Sequence, residues 1–191
     1  MSRTKKNNSP ESSEDIIDVL DEQGNKTGEV LPRKEIHRLG KIHRAIHLYL
    51  FDKSSNKLLI QRRSSSVDHF PNMLSISVMG HVNTGEESIQ AVKRELKEEL
   101  SIDPNQVKMD FLFSIRQDNV LAPSYIDRQF NDVYLGWATF KAEEIQFDPN
   151  EVSEVKLMHF SEFEHMVLKK NQELAYVYIE ECKRILPYLN L

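Results

Sequence analysis

The chain has 191 residues, 39% of them hydrophobic and 29% charged, and a formal net charge of −5. This length allows one domain with its own core, while the slightly acidic balance argues against a general nucleic-acid-binding protein, which needs a basic surface to neutralise phosphates. The single cysteine excludes an internal disulfide framework. Neither a secretory signal nor an apolar run of roughly 20 residues is evident. We therefore expect a cytoplasmic protein with no nucleic-acid or membrane partner.

The first part of the chain is predicted to be a tail followed by two short strands. Residues 1–15 are polar and lack apolar periodicity, so we expect a flexible tail there and a single domain over residues 16–191. Apolar residues predict one strand over residues 16–20 and, after a polar turn, a second near residues 28–31. Pro32 suits the first turn of a brief helix, where its missing N–H costs little.

The strongest strand signal lies at residues 43–51, where apolar side chains alternate between two faces. Ile46, Leu48 and Leu50 are expected on one face. The other face is expected to carry Ala45, His47, Tyr49 and Phe51. Residues 57–62 are predicted to return as the hairpin partner, and residues 74–78 to form a further strand.

A long helix is predicted over residues 86–100, since this segment contains no Gly or Pro and opens with acids that suit the helix dipole. Later segments are predicted as three strands and two helices. The strands are expected at residues 109–115, 132–140 and 154–159, and the helices at residues 161–169 and 171–186. The polar residues 117–128 are expected to be a connection that could cover a substrate. Strands with interspersed helices predict a sheet covered by helices.

The predicted helix carries three acidic residues, Glu95, Glu98 and Glu99, at i, i+3 and i+4, which places their carboxylates on one face. Like charges this close repel one another, and a hard divalent cation such as Mg²⁺ would reverse that penalty. The alternative is a solvated acidic face whose charge is offset by nearby basic residues. The helix alone does not decide between these two interpretations.

The loop before the helix completes a long motif that resembles the Nudix box. From Gly80 the chain has five residues, Glu86, seven residues and then the run 94–102, Arg-Glu-Leu-Lys-Glu-Glu-Leu-Ser-Ile. The box has the same spacing of Gly, Glu, Arg-Glu, aliphatic and Glu-Glu, and it then has a second Gly where this chain has Ser101. The pattern is specific because so many positions are fixed. Ser101 is expected to cost about 1 kcal/mol of stability, since the glycine ends the helix in a left-handed conformation.

The resemblance implies a mixed sheet between helices, an α/β/α sandwich of the α+β kind with the box as a loop–helix–loop beside it. It also implies that the three glutamates bind Mg²⁺, with Mn²⁺ as a substitute, and that one of them or a nearby acid helps to activate water. The carbonyl of Gly80 would be a further ligand, and Arg94 would orient the carboxylates together with Glu86. The reaction implied is hydrolysis of a small organic or nucleoside diphosphate.

Beyond the box, the chain resembles the Nudix subgroup close to isopentenyl-diphosphate isomerase. The resemblance is carried by the segments 18–21, 42–47, 61–63, 70–71, 77–81 and 130–134. An isomerase is therefore the alternative function. By this resemblance His37, His43 and His81 fall where the isomerase has metal-binding histidines, and Asp132 falls near one of its acids. The position of its catalytic cysteine is occupied by Met79, whose thioether cannot transfer a proton. The hydrolase interpretation is preferred for this reason.

Four residues outside the acidic set are candidates for substrate binding. Arg62 and Arg63 end a predicted strand and could bind phosphates through their guanidinium groups, although one of them could instead form a surface salt bridge. His81 lies in the box loop, and Arg33 begins the early helix. His37 and His43 are read as ordinary strand and loop residues. The resemblance also makes a homodimer possible.

Overall fold

The protein is described by a computed structural model that covers residues 15–176 and 178–189, so the tail predicted for residues 1–15 lies, apart from Asp15, outside the described residues. The described strands are β1 Ile16–Leu20, β2 Lys26–Pro32, β3 Ile42–Asp52, β4 Lys57–Arg63, β5 Leu74–Ser75, β6 Val78–His81, β7 Lys108–Ala122, β8 Tyr125–Ala138 and β9 Val152–Met158. The described α-helices are α1 Arg33–Leu39, α2 Ser88–Leu100, α3 Phe160–Leu168 and α4 Ile179–Ile185.

Strand β3 is the centre of a mixed sheet. It runs parallel to β8 along its whole length, and on its other side it pairs antiparallel with β1, β6 and β4 in turn. Strand β4 continues the sheet to β5 and β9, and β7 pairs with β8. The predicted alternation along β3 is confirmed, because Ile46, Leu48 and Leu50 belong to one hydrophobic cluster, whereas Tyr49 and Phe51 belong to another.

The two clusters lie on opposite faces of the sheet and explain why it has helices on both sides. Helix α2 buries Ala91, Val92, Leu96 and Leu100 against the first face. Helices α3 and α4 cover the second face, and their buried side chains there are Phe160, Phe163, Val167, Cys182 and Ile185. The expected α/β/α sandwich is therefore confirmed. Across the described residues, no helix is both long and apolar enough to span a bilayer.

Helix α2 begins two residues later than predicted, because Glu87 and Gln90 form a reciprocal capping box at its start. Its C-cap is Ser101, with φ of 52° and ψ of 23°, in the left-handed region. The backbone N–H of Ser101 is bonded to the last turn of the helix. The left-handed helix end that was expected from the box pattern is thus present with a serine in place of the glycine.

Replacing Ser101 by Gly is expected to raise the free energy of unfolding by about 1 kcal/mol, since the Cβ of an L-residue crowds the backbone at this φ. Chemical denaturation followed by circular dichroism would measure the change. Ser101→Ala is the matched control, because alanine has the same Cβ and should gain nothing. Equal stability of the Gly and Ala variants would contradict the explanation.

The prediction that the polar segment 117–128 is a long connection is wrong. It forms the distal part of a hairpin in which β7 and β8 pair from Lys108 opposite Trp137 to Ala122 opposite Tyr125, with only two residues between the strands. Residues 117–119 and 127–128 are consecutive polar residues, so neither strand has the apolar alternation that would reveal it in the sequence.

Two further predicted elements are shorter than expected. Residues 74–78 do not form one strand, because the chain changes partner between β5, which pairs with β4, and β6, which pairs with β3. The last helix does not begin at residue 171. Residues 173–175 run beside β5 instead, where Leu74 N–H donates to the carbonyl of Glu173 and Ala175 N–H donates to that of Leu74. These bonds hold residues 173–175 against β5.

Candidate active site

A polar cavity of about 680 Å³ opens where β6 leads into α2. We call it the central cavity. One wall contains the box residues Gly80, His81, Arg94, Glu95, Glu98 and Glu99. Other elements contribute Arg33, His47, Arg63, Met79, Tyr125, Asp127, Gln129, Asp148, Glu151 and Tyr176. The structure therefore brings the three predicted carboxylates to one cavity together with basic side chains from distant parts of the chain.

Arg94 holds the acidic residues of the box in place. Its guanidinium donates to Glu86 at 2.8 and 3.1 Å, to Glu95 at 2.7 Å and to Glu98 at 3.2 Å, and it also donates to the carbonyl of His81 at 3.0 Å. Glu86 in turn accepts from the backbone N–H of Asn83, which ties the loop to the helix. The contacts that were expected between Arg94, Glu86 and the carboxylates are present.

Gly80 lies directly against Glu95. A Cβ at position 80 would overlap the carboxylate of Glu95, although the φ of this glycine is not in the left-handed region. The glycine of the box is therefore needed for close approach of backbone and carboxylate, and Gly80 lines the cavity beside the acids.

Two of the carboxyl groups, those of Glu95 and Glu99, are largely removed from water and lie close to other acidic side chains. Burial raises the pKa of Glu95 to about 7, against the neighbouring Arg94 charge, which lowers it. Burial also raises the pKa of Glu99 well above its usual range, and the charge of Glu95 adds to the effect. The side-chain amide of Gln61 donates to Glu99 at 2.9 Å and fixes its position. Glu98 is more exposed, at 59% of its side chain.

This arrangement fits a divalent cation. Crowded carboxylates that are partly removed from water cost free energy unless a positive charge offsets them. In the described part of the chain, Arg94 donates to Glu95 and Glu98 but forms no hydrogen bond to Glu99. Carboxylate and carbonyl oxygens are the ligands that Mg²⁺ and Mn²⁺ prefer. Glu95, Glu98, Glu99 and the Gly80 carbonyl are the residues that would hold it.

A cluster of three histidines lies beside the acidic wall. His37 of α1, His43 of β3 and His81 of β6 place ring nitrogens within 4.8 Å of one another, and Nε2 of His37 is 3.1 Å from Nε2 of His81. Oδ1 of Asp127 is 3.7 Å from a nitrogen of both His37 and His43. His37 and His43 are buried, so the prediction that they are ordinary strand and loop residues does not describe their surroundings.

The cluster is neutral at physiological pH and has unused hydrogen-bonding atoms. Burial lowers the pKa of His37 to about 3 and that of His43 to about 4, and it lowers the pKa of His81 well below its usual range. Burial raises the pKa of Asp127 to about 6. Within the described part of the chain, Nδ1 of His37, Nε2 of His43 and Oδ1 of Asp127 are buried without a hydrogen-bond partner. Neutral imidazole nitrogens with an adjacent carboxylate could hold a second metal ion.

Asp132 is not part of this cluster. Its carboxylate accepts a bond of 2.6 Å from Arg44, which also donates to the carbonyl of Gly24, and these residues line a smaller cavity away from the histidines. The side chain of Asp127, five residues earlier on the same strand, takes the place that the sequence suggested for Asp132. Because side chains alternate along β8, residue 127 points to the opposite face from residue 132.

The predicted phosphate-binding arginines separate into two groups. Arg33 at the start of α1 and Arg63 at the end of β4 both line the central cavity. Arg62 does not line it, since its guanidinium forms a surface salt bridge of 3.0 Å to Glu154 and donates to the carbonyl of Asn72. Adjacent residues in a strand face opposite ways, so at most one of the pair could reach the cavity.

Met79 lies in the central cavity at the position where the isomerase would carry its cysteine. Its sulfur accepts hydrogen bonds from the hydroxyl of Tyr178 at 3.3 Å and from that of Ser75 at 3.5 Å. The sulfur is thus a weak acceptor held by two hydroxyls and has no proton to give.

Comparison with known proteins agrees with this geometry. The NUDIX domain family model matches residues 41–181. This chain belongs to the Nudix family. The match includes β3, the box and most of the described sheet.

Individual relatives include both activities that the sequence suggested. Nudix hydrolase 3 of Arabidopsis thaliana is 35% identical over 168 residues, which are 86% of this chain but only 22% of that protein. An isopentenyl-diphosphate Delta-isomerase of Pectobacterium atrosepticum is 31% identical over 83% of this chain and 84% of its own. A crystal structure from Deinococcus radiodurans, 24% identical, superposes with a TM-score of 0.70 over 88% of this chain and 98% of that one, so the two proteins share a fold.

Proposed function

We propose that this Nudix protein is a Mg²⁺-dependent hydrolase that cleaves the diphosphate bond of a small organic or nucleoside diphosphate derivative by attack of water. The observation that carries the proposal is that Glu95, Glu98 and Glu99 line one wall of the central cavity beside Gly80, with Arg94 bonded to two of the carboxylates. Bound Mg²⁺ would supply neutralisation of the diphosphate charge and a more acidic water.

The chain's own residues supply binding and proton transfer. Arg33 and Arg63 face the same cavity as the acids and are placed to bind phosphate oxygens, for which guanidinium groups are suited. Arg94 is fully engaged with carboxylates and a carbonyl, so its role is to position the acids and not to bind substrate. A carboxylate of the acidic wall accepts the proton of the attacking water.

Isomerisation is the second candidate, and a specific observation favours it. The buried cluster of His37, His43 and His81 with Asp127 occupies the region where the isomerase resemblance expects a metal. Met79 speaks against isomerisation, because its sulfur cannot carry out the proton transfer of a cysteine. The complete acidic set of the box is better explained by hydrolysis.

Product analysis separates the two functions. Nucleoside di- and triphosphates, nucleotide-linked diphosphates and isopentenyl diphosphate would each be incubated with Mg²⁺ in ¹⁸O-labelled water, followed by chromatography and mass spectrometry. Hydrolysis predicts a phosphate product that contains ¹⁸O from the solvent and identifies the substrate class. An isomer of unchanged mass from isopentenyl diphosphate, without ¹⁸O-labelled phosphate from any substrate, would overturn the hydrolase proposal.

Binding of Mg²⁺ is expected to weaken as the pH falls below about 7. Burial raises the pKa of the Glu95 carboxyl to about 7, and this group must lose its proton before it can act as a ligand. For one displaced proton, the apparent affinity for Mg²⁺ is therefore expected to fall roughly tenfold for each pH unit below that value. Calorimetric titration at about pH 6 and about pH 8 would measure the difference. The histidine cluster has lowered pKa values of about 3 and 4 for His37 and His43, so these two stay neutral over this range.

Glu95→Gln is the control for this pH dependence. The variant should bind Mg²⁺ more weakly at both pH values, and the difference between them should shrink, since the amide does not titrate. The same affinity of the wild-type protein at both pH values would contradict the role of Glu95 as a ligand. The cytoplasmic location, the possible homodimer and the absence of a nucleic-acid partner stay predictions.

A further inference from the structure

A buried polar network lies behind the central cavity, outside the box. Nδ1 of His47 in β3 is 2.9 and 3.0 Å from the two carboxylate oxygens of Glu181 in α4. The hydroxyl of Tyr49 donates to the same carboxylate at 2.8 Å, and the amide of Asn131 is 3.4 Å away. His47 is 3% exposed and Glu181 is 4% exposed.

Burying these polar groups in a hydrophobic core costs folding free energy. Its neighbours are apolar or aromatic side chains that bind α4 to the sheet, and a well-packed apolar pair could replace a buried ion pair with little or no loss of stability. The carboxylate of Glu181 accepts hydrogen bonds from Tyr49 and Asn131 and also faces Nδ1 of His47. Within the described residues, His47 is the one side chain that forms a salt bridge with it.

The position of His47 connects this network to the substrate cavity. His47 is cross-strand from Met79 in the pairing of β3 with β6, and both residues line the central cavity. Nδ1 is engaged by Glu181, and no hydrogen bond to Nε2 is found among the described residues. Nε2 is therefore the ring nitrogen that is free to contact a molecule in the cavity.

We propose that His47 is a phosphate-binding residue: Glu181 orients its ring through Nδ1, and in the complex a protonated Nε2 donates to an oxygen of the diphosphate. A buried carboxylate without another cation needs a positive partner, and a protonated imidazole donates from both nitrogens. This adds a cationic contact on the wall away from the acids. The inference rests on the proposed diphosphate substrate and assigns to Glu181 a positioning role.

The direct test is nitrogen NMR of ¹⁵N-histidine-labelled protein near neutral pH, with Mg²⁺ and the slowly hydrolysed diphosphate analogue imidodiphosphate. With imidodiphosphate bound, both ring nitrogens of His47 are expected to have the shifts of protonated nitrogen, and the Nε2 signal should move on its addition. The proposal would be overturned if the His47 ring kept one unprotonated nitrogen in the presence of saturating imidodiphosphate, or if its Nε2 signal did not shift. The NMR test requires no turnover, so it can succeed where the hydrolase proposal fails, and the reverse also holds.

Two substitutions of His47 make a matched pair for kinetics. The amide of His47→Gln reaches about as far as Nε2 and keeps a donor toward the cavity, whereas His47→Asn keeps only a group near the position of Nδ1. We expect His47→Asn to raise KM roughly 10- to 100-fold, the range for a lost bond to a charged group, and His47→Gln to raise it less. Equal effects of the two variants, or an unchanged KM in His47→Asn, would contradict a substrate contact.

Glu181→Gln tests the positioning role without a change of volume. It is expected to raise KM in the same direction as His47→Asn and to return the His47 ring to a neutral form in the NMR spectrum. Circular dichroism and the melting temperature would establish that the variant folds. His165→Asn changes an exposed histidine of α3 outside the cavity and should leave KM and the His47 signals unchanged. A folded Glu181→Gln protein with wild-type KM and an imidazolium at position 47 would overturn the positioning role.

Discussion

Replacing Glu99 by Gln is expected to lower kcat by about 10³-fold, because a carboxylate that holds the cation contributes several kcal/mol of transition-state stabilisation and each 1.36 kcal/mol is a factor of ten in rate. The rate would be measured on the substrate that product analysis identifies. The loss should appear in kcat, since Arg33 and Arg63, which are expected to bind phosphate, are untouched.

The Glu99→Gln protein should nevertheless fold well. Gln61 can still donate to the side-chain oxygen of residue 99, and the substitution removes a charge that burial and the neighbouring Glu95 make unfavourable. Its melting temperature without metal is therefore expected to be at least that of the wild-type protein, and the stabilisation by Mg²⁺ should be lost. Glu162→Gln, at an exposed acid of α3, is the matched control and should keep both activity and metal response. Full activity of Glu99→Gln would remove Glu99 from the metal site.

Replacing Gly80 by Ala is expected to lower kcat by about 10²-fold, the effect of misplacing a catalytic group by about 1 Å. The added methyl would overlap the carboxylate of Glu95, so either that side chain or strand β6 must move. The bond between Arg94 and Glu95 would be disturbed at the same time. Kinetics together with Mg²⁺ titration would show whether metal affinity falls in parallel.

Gly28→Ala separates this steric effect from the general cost of substituting a glycine. Gly28 lies in β2 with φ of +88°, and a Cβ there would meet nothing within 4 Å. The substitution should cost about 1 kcal/mol of stability through its backbone conformation and leave kcat unchanged. If Gly80→Ala lost stability but kept wild-type kcat, the close approach of Gly80 and Glu95 would not matter for catalysis.

Much of the acidic wall was predictable because its members are close in the chain. Spacings of three and four residues place Glu95, Glu98 and Glu99 on one helix face whatever the rest of the fold does, and the box pattern adds Gly80 and Glu86. The strand alternation at β3 was predictable for the same reason, since it depends only on a period of two.

The rest of the cavity depends on strand pairing that no local pattern specifies. His37, His43 and Asp127 come together only because β3 runs parallel to β8 while α1 packs against β8. A hairpin of polar strands was read as a connection, which hid the contribution of Asp127 and Tyr125. The choice between Arg62 and Arg63 likewise required knowing which face of β4 meets the cavity.

The sequence by itself determined the family, the acidic helix and the chemistry that these carboxylates favour, because each of these depends on short and rigid spacings. Only the tertiary structure decided which histidines, arginines and acids share the cavity with them. The contact between His47 and Glu181, 134 residues apart in the chain, is the clearest example, since it exists only when α4 packs on the face of the sheet that β3 presents. Contacts of this kind are set by packing and strand register, and neither is encoded in local periodicity.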